Sequence, residues 1–390
     1  NEMILDFLTP VADSVIAHAK LQDKDSLGNS ISFYTEDDGF PDIEKGTLVL
    51  VGVLENRNDV NYLGEQLSFN ETRKAFCELF PGNWKASVVD IGDIHPGETV
   101  SDTYFALKKV VAAVVKLGAI PIVLGGSHDL TYAMYRAYDD LDQMVSLVCV
   151  DAKFDLKDPS EGIKNNNYMN SVVVEEPNNL INFSNIGFQT YYNSQEEIDL
   201  LEKLYFETYR LGEVTNDLGL VEPITRDADI VSFDITSIQA SEIAKDSGYR
   251  SPNGVNGKES CAIARYAGVS STVSSFGLFE LNNKLSASGV MLSAQMIWYF
   301  VEGVHCRIEE PSLNSESGYK KYIVPSQDYD LVFYESLISK RWWVKLPDSD
   351  INCNKTKKHS LLSCTQEDYL IACDQQIPKR IYKAFRKNLI

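Results

Sequence analysis

Basic residues are scarce in this chain: 36 lysines and arginines face 56 aspartates and glutamates, a formal net charge of −20 over 390 residues. Nucleic acids and anionic membranes are polyanions, and no basic patch here would offset the repulsion, so neither is an expected partner. Long apolar runs are also missing. No stretch reaches the roughly 18 residues of a membrane-spanning helix, and the opening Asn1-Glu2-Met3-Ile4-Leu5-Asp6 lacks the charged-then-apolar layout of a secretory signal. A cytoplasmic setting without membrane insertion is the expectation. Cys77, Cys149, Cys261, Cys306, Cys353, Cys364 and Cys373 are odd in number, scattered, and form no C-x-x-C pair. That pattern excludes the common zinc and redox motifs and points to reduced structural thiols. No internal repeat or low-complexity tract is evident.

What is present is the balance of an ordered globular protein, with 44% hydrophobic and 24% charged residues, and enough chain to bury a large core. From residue 46 to 305 short β-rich runs alternate with longer amphipathic stretches, which predicts β-α-β units around a mainly parallel sheet. Thr47 to Val53 is continuous and branched, as a strand covered on both faces should be. Further strands are expected at Ala86 to Ile91, Ile120 to Leu124, Val145 to Val150, Asn185 to Phe188, Ile230 to Phe233 and Val273 to Phe279. Ser101-Asp102 reads as the cap of a helix that ends at Gly118. Glu196 to Leu204, Ser260 to Ala267 and Val290 to Val304 read as helices too. The main α/β domain is expected over 1–305, with 1–45 as a lead-in. A C-terminal appendage is expected over 306–390: a hairpin of Tyr329 to Tyr334 and Arg341 to Leu346, a polar loop from Asp348 to Lys358, and basic helices from Gln366 to Leu389.

Three strand ends carry acidic residues, where open α/β sheets place their sites. They are Gly125-Gly126-Ser127-His128-Asp129, Asp151-Ala152-Lys153-Phe154-Asp155 and Ser232-Phe233-Asp234-Ile235-Thr236. Alternate residues at a strand end project to one side. Oxygen ligands converging there with an imidazole suit a divalent cation such as manganese. Taken singly, a strand-end aspartate is ordinarily a helix cap, and a lone buried histidine is ordinarily a satisfied core residue. Three such motifs in series are harder to explain in that way.

In this order they resemble the G-G-D-H-S, D-A-H-x-D and S-x-D-x-D motifs of the ureohydrolases, the arginase, agmatinase and formiminoglutamase superfamily. The resemblance extends over most of residues 46 to 304. Gly52, the Arg73 region, Ile186-Gly187 and Phe279-Glu280 support it. Asp37 to Pro41 and Phe80 to Trp84 point to the formimidoylglutamase-like branch. The resemblance implies a three-layer αβα fold shared with the deacetylases and a pair of manganese ions activating one water. It assigns His128, Asp151, Asp155 and Asp234 to one ion, and all four ligands are intact. The other ion shares two of these aspartates but needs a histidine and an aspartate where this chain has Lys153 and Thr236.

An ammonium is a donor only and would repel a neighbouring dication, so a centre with one manganese or other divalent metal, or with none, is the expectation. The ammonium could instead stand in the space of the missing ion. The family's proton-shuttling histidine has no counterpart in Lys164 to Asn170, leaving Tyr168, Lys153 or water as candidate acids. Glu280 matches the glutamate that meets the cationic end of the substrate. Thr190 to Asn193 and Arg250 to Gly254 lie where specificity loops are expected. Deacetylation is disfavoured because that chemistry uses the histidine replaced by Lys153.

Two functions follow from the resemblance. One is a non-catalytic binding, regulatory or assembly component lacking the second manganese site. The alternative is a one-metal hydrolase of a linear amidine C–N bond, acting on carbon–nitrogen bonds other than peptide bonds. A small molecule or a protein is the expected partner, and a homo-oligomer fits the family.

Overall fold

The structure is a computed structural model that describes residues 2–85, 87–246, 248–312, 316–326, 329–346 and 361–388. The polar loop expected at 348–358 and Cys353 lie outside the described residues. Six cysteines fall inside them, all as free thiols.

Nine strands build the central sheet: β1 (Ser32–Phe33), β2 (Leu48–Val53), β3 (Val88–Ile94), β4 (Ile120–Gly125), β5 (Val145–Val150), β6 (Leu180–Phe188), β7 (Glu207–Arg210), β8 (Ile230–Asp234) and β9 (Ser275–Phe279). Their order is β1-β3-β2-β4-β9-β8-β5-β6-β7, and every pairing is parallel. Strands β2, β3, β4, β8 and β9 are buried at every residue, and β2 and β4 accordingly read as apolar runs and not alternations. The two-residue period still sorts the side chains. Leu48, Leu50, Ile122 and Leu124 join the core on one face, with the helices Gly257–Val269 and Ala287–His305. Val49, Val51, Val53 and Val123 join the core on the other face, under the helices Val100–Lys116 and Leu130–Ala137. The result is the expected three-layer αβα arrangement.

The cap of the Val100–Lys116 helix is Thr99, earlier than Ser101-Asp102. Thr99 accepts from the Asp102 N–H while the Asp102 carboxylate accepts from the Thr99 N–H. Asp102 is thus the third residue of a capping box and not the cap itself. Strands β1 and β7 and the first half of β6 were not anticipated.

Past residue 305 a second, antiparallel sheet forms from β10 (Tyr319–Val324), β11 (Leu331–Ser336), β12 (Trp342–Lys345) and β13 (Leu361–Cys364). The expected hairpin is its central pair, with Phe333 opposite Val344. Phe333, Trp342, Val344, Ile381 and Phe385 give this sheet and its helices a core of their own. The last helix, Lys379–Asn388, grips the amino ends of β6 and β7 at one edge of the central sheet and the segment just before β8. Arg380 Nε lies 2.7 Å from Glu207 Oε1 and its Nη2 lies 2.6 Å from Asp227 Oδ2. Lys383 Nζ donates to the Phe206 carbonyl at 2.6 Å, and Lys387 donates to the side-chain oxygen of Asn182. Burial alone would raise the Glu207 carboxyl, but the charges of Arg380 and Lys387 hold it at about 2. Among the described residues no helix is long and apolar enough to cross a membrane.

Candidate metal centre

The sheet order sets β9 and β8 between β4 and β5. The carboxyl ends of all four therefore stand side by side, and the three sequence motifs meet there together with Glu280 from the end of β9. At the end of β4 the chain passes so close to the Glu55 carbonyl that a Cβ on Gly126 would lie 2.2 Å from it. Only glycine fits, and this close passage aims His128 inward.

His128 is fully buried. Its Nε2 lies 2.8 Å from Ser232 Oγ on β8, and Ser232 Oγ lies 2.7 Å from Thr131 Oγ1. That clamp turns Nδ1 toward three carboxylates: Asp151 Oδ2 at 3.1 Å, Asp155 Oδ2 at 3.3 Å and Asp234 Oδ2 at 3.5 Å. All four candidate ligands from the sequence are thus brought together. Asp155 and Glu280 reach their places on left-handed backbone, with φ of 55° and 63°. Each such non-glycine residue costs about 1 kcal/mol or more, strain of the kind found at functional sites.

The cluster is short of positive charge. Burial, then the charge of Asp155, pushes Asp151 up to about 7. Burial, then the charge of Asp151, pushes Asp234 up to about 6. For His128, burial opposes the proton, but hydrogen bonds to Asp151 and Asp155 overcome this and raise its pKa well above the ordinary range.

One divalent ion fits these residues. His128 Nδ1 faces Asp151 Oδ2 at 3.1 Å, a contact that a ring proton on Nδ1 or a bound cation satisfies. Ligand atoms about 2.1 Å from one ion stand roughly 3.0–3.4 Å apart, close to the separations observed around Nδ1. Ligand atoms of His128, Asp151 and Asp234 lie within 4.8 Å of one another, with Asp155 approaching from the Nδ1 side.

The other oxygens of Asp151 and Asp234 already have partners. Asp151 Oδ1 accepts from the Lys153 N–H at 2.9 Å. Asp234 Oδ1 accepts from the Thr236 N–H at 2.7 Å and its hydroxyl at 2.6 Å. The oxygens facing away from His128 are therefore engaged by the two residues that replace ligands. The Lys153 ammonium is not wedged among the aspartates. It lies over the Tyr192 ring, 5.8 Å from the centroid, and among the described residues it forms no ion pair with them. Burial disfavours its charge, but Asp155, Asp151, Asp234 and Glu280 outweigh this and keep it protonated.

Glu280 Oε1 accepts from the His128 N–H at 2.9 Å and from Asn165 Nδ2 at 3.0 Å, and its carbonyl accepts from the Tyr249 hydroxyl at 2.7 Å. Tyr168, a candidate acid, packs its hydroxyl 3.3 Å from His128 Nε2. Burial and the nearby acids raise its pKa far beyond the range useful for donating a proton at neutral pH. The sequence did not single out Ser232, Asn165 or Asp59. Ser232 was legible in principle, because two residues before Asp234 on one strand means the same face. Asn165 and Asp59 sit in loops and carry no such signal. Of the expected specificity loops, Asn193 braces the second motif, accepting from the Phe154 N–H at 2.8 Å and donating to the Ala152 carbonyl at 3.2 Å.

Comparison with known proteins agrees with this geometry. A family model described as the arginase family matches residues 62–302. The formimidoylglutamase of Staphylococcus epidermidis is 25% identical over 207 residues, which cover 50% of this chain and 65% of that protein. The match therefore spans less than two thirds of this relative's length. Among solved structures, a Trypanosoma cruzi formiminoglutamase with Mn2+ aligns with a TM-score of 0.62 at 20% identity, covering 73% of this chain and 99% of that one. The Bacillus subtilis formimidoylglutamase aligns with a TM-score of 0.64 at 14% identity, covering 74% and 94%.

Proposed function

Because the chain belongs to the arginase family, we propose that it keeps the first of the family's two metal positions, lacks the second, and works as a binding, regulatory or assembly component. The observation that carries this reading is Thr236, whose N–H and hydroxyl both hold Asp234 Oδ1, with the Lys153 N–H holding Asp151 Oδ1 in the same way. A bound divalent ion supplies the charge that polarises water, and the family's chemistry draws on two such ions together. His128, Asp151, Asp155 and Asp234 would hold one. Glu280 would meet a cationic ligand end. Among the described residues the family's proton-shuttling histidine has no counterpart beside them, and Tyr168 holds its proton too tightly to serve near pH 7.

The test is incubation of the protein with formiminoglutamate, agmatine and arginine, with manganese added, while following formamide, ammonia and urea. No product is expected. Turnover on the order of one per second, abolished by Asp151→Ala, would overturn the proposal.

A second reading is favoured by one arrangement, the convergence of three carboxylate oxygens within 3.5 Å of His128 Nδ1. It makes the chain a one-metal hydrolase of a linear amidine C–N bond. Less than about a tenth of an equivalent of any divalent metal after soaking rules out the hydrolase, and with an ion bound, turnover of a linear amidine separates the two readings.

A further inference from the structure

Asn165 faces two carboxylates inside the site. Its Nδ2 lies 3.0 Å from Glu280 Oε1 and 3.2 Å from Asp59 Oδ1. Its Oδ1 accepts from the Val60 N–H at 3.2 Å, and its own N–H donates to the Asn58 carbonyl at 3.0 Å. One residue thus ties the loop after β5 to the loop after β2 and to Glu280 after β9. The loop that presents it is stapled by Asn167, which is 3% exposed. Asn167 Oδ1 accepts from the Lys164 N–H at 2.7 Å, and its Nδ2 donates to the carbonyls of Asp158 at 3.1 Å and Gly162 at 3.0 Å.

A carboxamide NH2 is planar and carries two protons, here directed at two carboxylate oxygens. The terminal nitrogen of an amidinium or guanidinium presents the same two donors in a plane, with a positive charge added. Hydrogen bonds from a charged donor to a carboxylate are roughly twice as strong as neutral ones. A cationic ligand end therefore competes well for this position, and a neutral amide only exchanges like for like.

We propose that Asn165 is a specificity-determining surrogate ligand, its carboxamide filling the place between Glu280 and Asp59 where an amidinium or guanidinium docks. Binding then requires a charged planar donor that displaces the amide. The inference rests on the reading of Glu280 as the residue that meets a cationic ligand end, and it is independent of whether that ligand is turned over.

The experiment is calorimetric titration of the full chain with acetamidinium, and with acetamide as its neutral counterpart, for the wild type, Asn165→Ala and the Asn165→Ala/Glu280→Gln double variant. Asn165→Ala is expected to bind acetamidinium at least tenfold more tightly than the wild type, the wild type to bind no acetamide, Asn165→Ala to bind acetamide more weakly than acetamidinium, and the double variant to lose the gain. Equal acetamidinium affinities with and without Asn165 would overturn the surrogate role. A gain that survives Glu280→Gln would overturn the reading of Glu280. If the alanine variant melts early, Asn165→Ser takes its place under the same criteria. Product release assayed in the same samples bears on catalysis alone and leaves the binding comparison intact.

Discussion

His128 Nδ1 and Asp151 Oδ2 stand 3.1 Å apart, with Asp155 and Asp234 oxygens also within 3.5 Å of that nitrogen. Three carboxylates crowded on one nitrogen favour a cation there, a proton or a metal ion. Protein stripped with a chelator should therefore gain thermal stability on adding Mn2+ or Zn2+, by about 2.7 kcal/mol when the free ion is a hundredfold above its Kd. Asp151→Asn should remove most of the shift in a thermal melt. The absence of any shift with millimolar ions would mean that a proton alone settles the contact.

Rebuilding the second position tests the account of Lys153 and Thr236. Lys153→His together with Thr236→Asp should raise manganese affinity at least tenfold, about 1.4 kcal/mol, and move the stoichiometry from one toward two ions. Calorimetry reads both quantities. An unchanged affinity would mean that the surrounding loops, and not these two side chains, exclude the ion.

The joint between the two sheets should be acid-labile. Glu207 is held at about 2 in the folded chain against 4.5 for an ordinary glutamate. Because the folded value is the lower one, its contribution is fully present above pH 4.5 and is lost as the pH falls from there toward 2. The size is on the order of 3 kcal/mol. Urea melts at pH 7 and pH 3 should show about 2 kcal/mol of this loss in the wild type and much less of it in Glu207→Gln. Equal losses in both would place the acid sensitivity elsewhere.

Arg73 is buried with Asp90 Oδ2 and Asp93 Oδ1, each at 2.8 Å, and a Cβ at Gly52 would lie 1.9 Å from that same Asp93 oxygen. Arg73→Ala leaves two buried carboxylates uncompensated and should cost about 3–5 kcal/mol in a chemical melt. Arg73→Lys should recover less than half of this, since an ammonium cannot reproduce the fork. Gly52→Ala should destabilise by about 1–3 kcal/mol by crowding Asp93 off its partner. A mild Arg73→Ala would show that the two acids are not held as a charged unit.

The sequence made the sheet legible where chemistry is local. The apolar run of β2, the acidic end of β8 and the order of the three motifs each predict their own surroundings. It was silent where a partner comes from far along the chain. Strand β7 opens on Glu207, a poor strand residue in isolation, and is satisfied by Arg380, more than a hundred residues later. Reading Ser101-Asp102 as the cap placed the helix start two residues late, because a hydroxyl near an acid fits the Thr99 position equally well. Lys153 was legible as a lost ligand but not as a cation resting on Tyr192, since neither motif nor spacing names that ring.

The final helix holds the amino ends of β6 and β7, while the acid cluster crowns the opposite, carboxyl ends of the strands. Handle and mouth thus occupy opposite poles of the molecule. A substitution that loosens the terminal helix therefore acts on the far ends of the strands from His128, and its effect on folding can be read apart from any effect on the acid cluster.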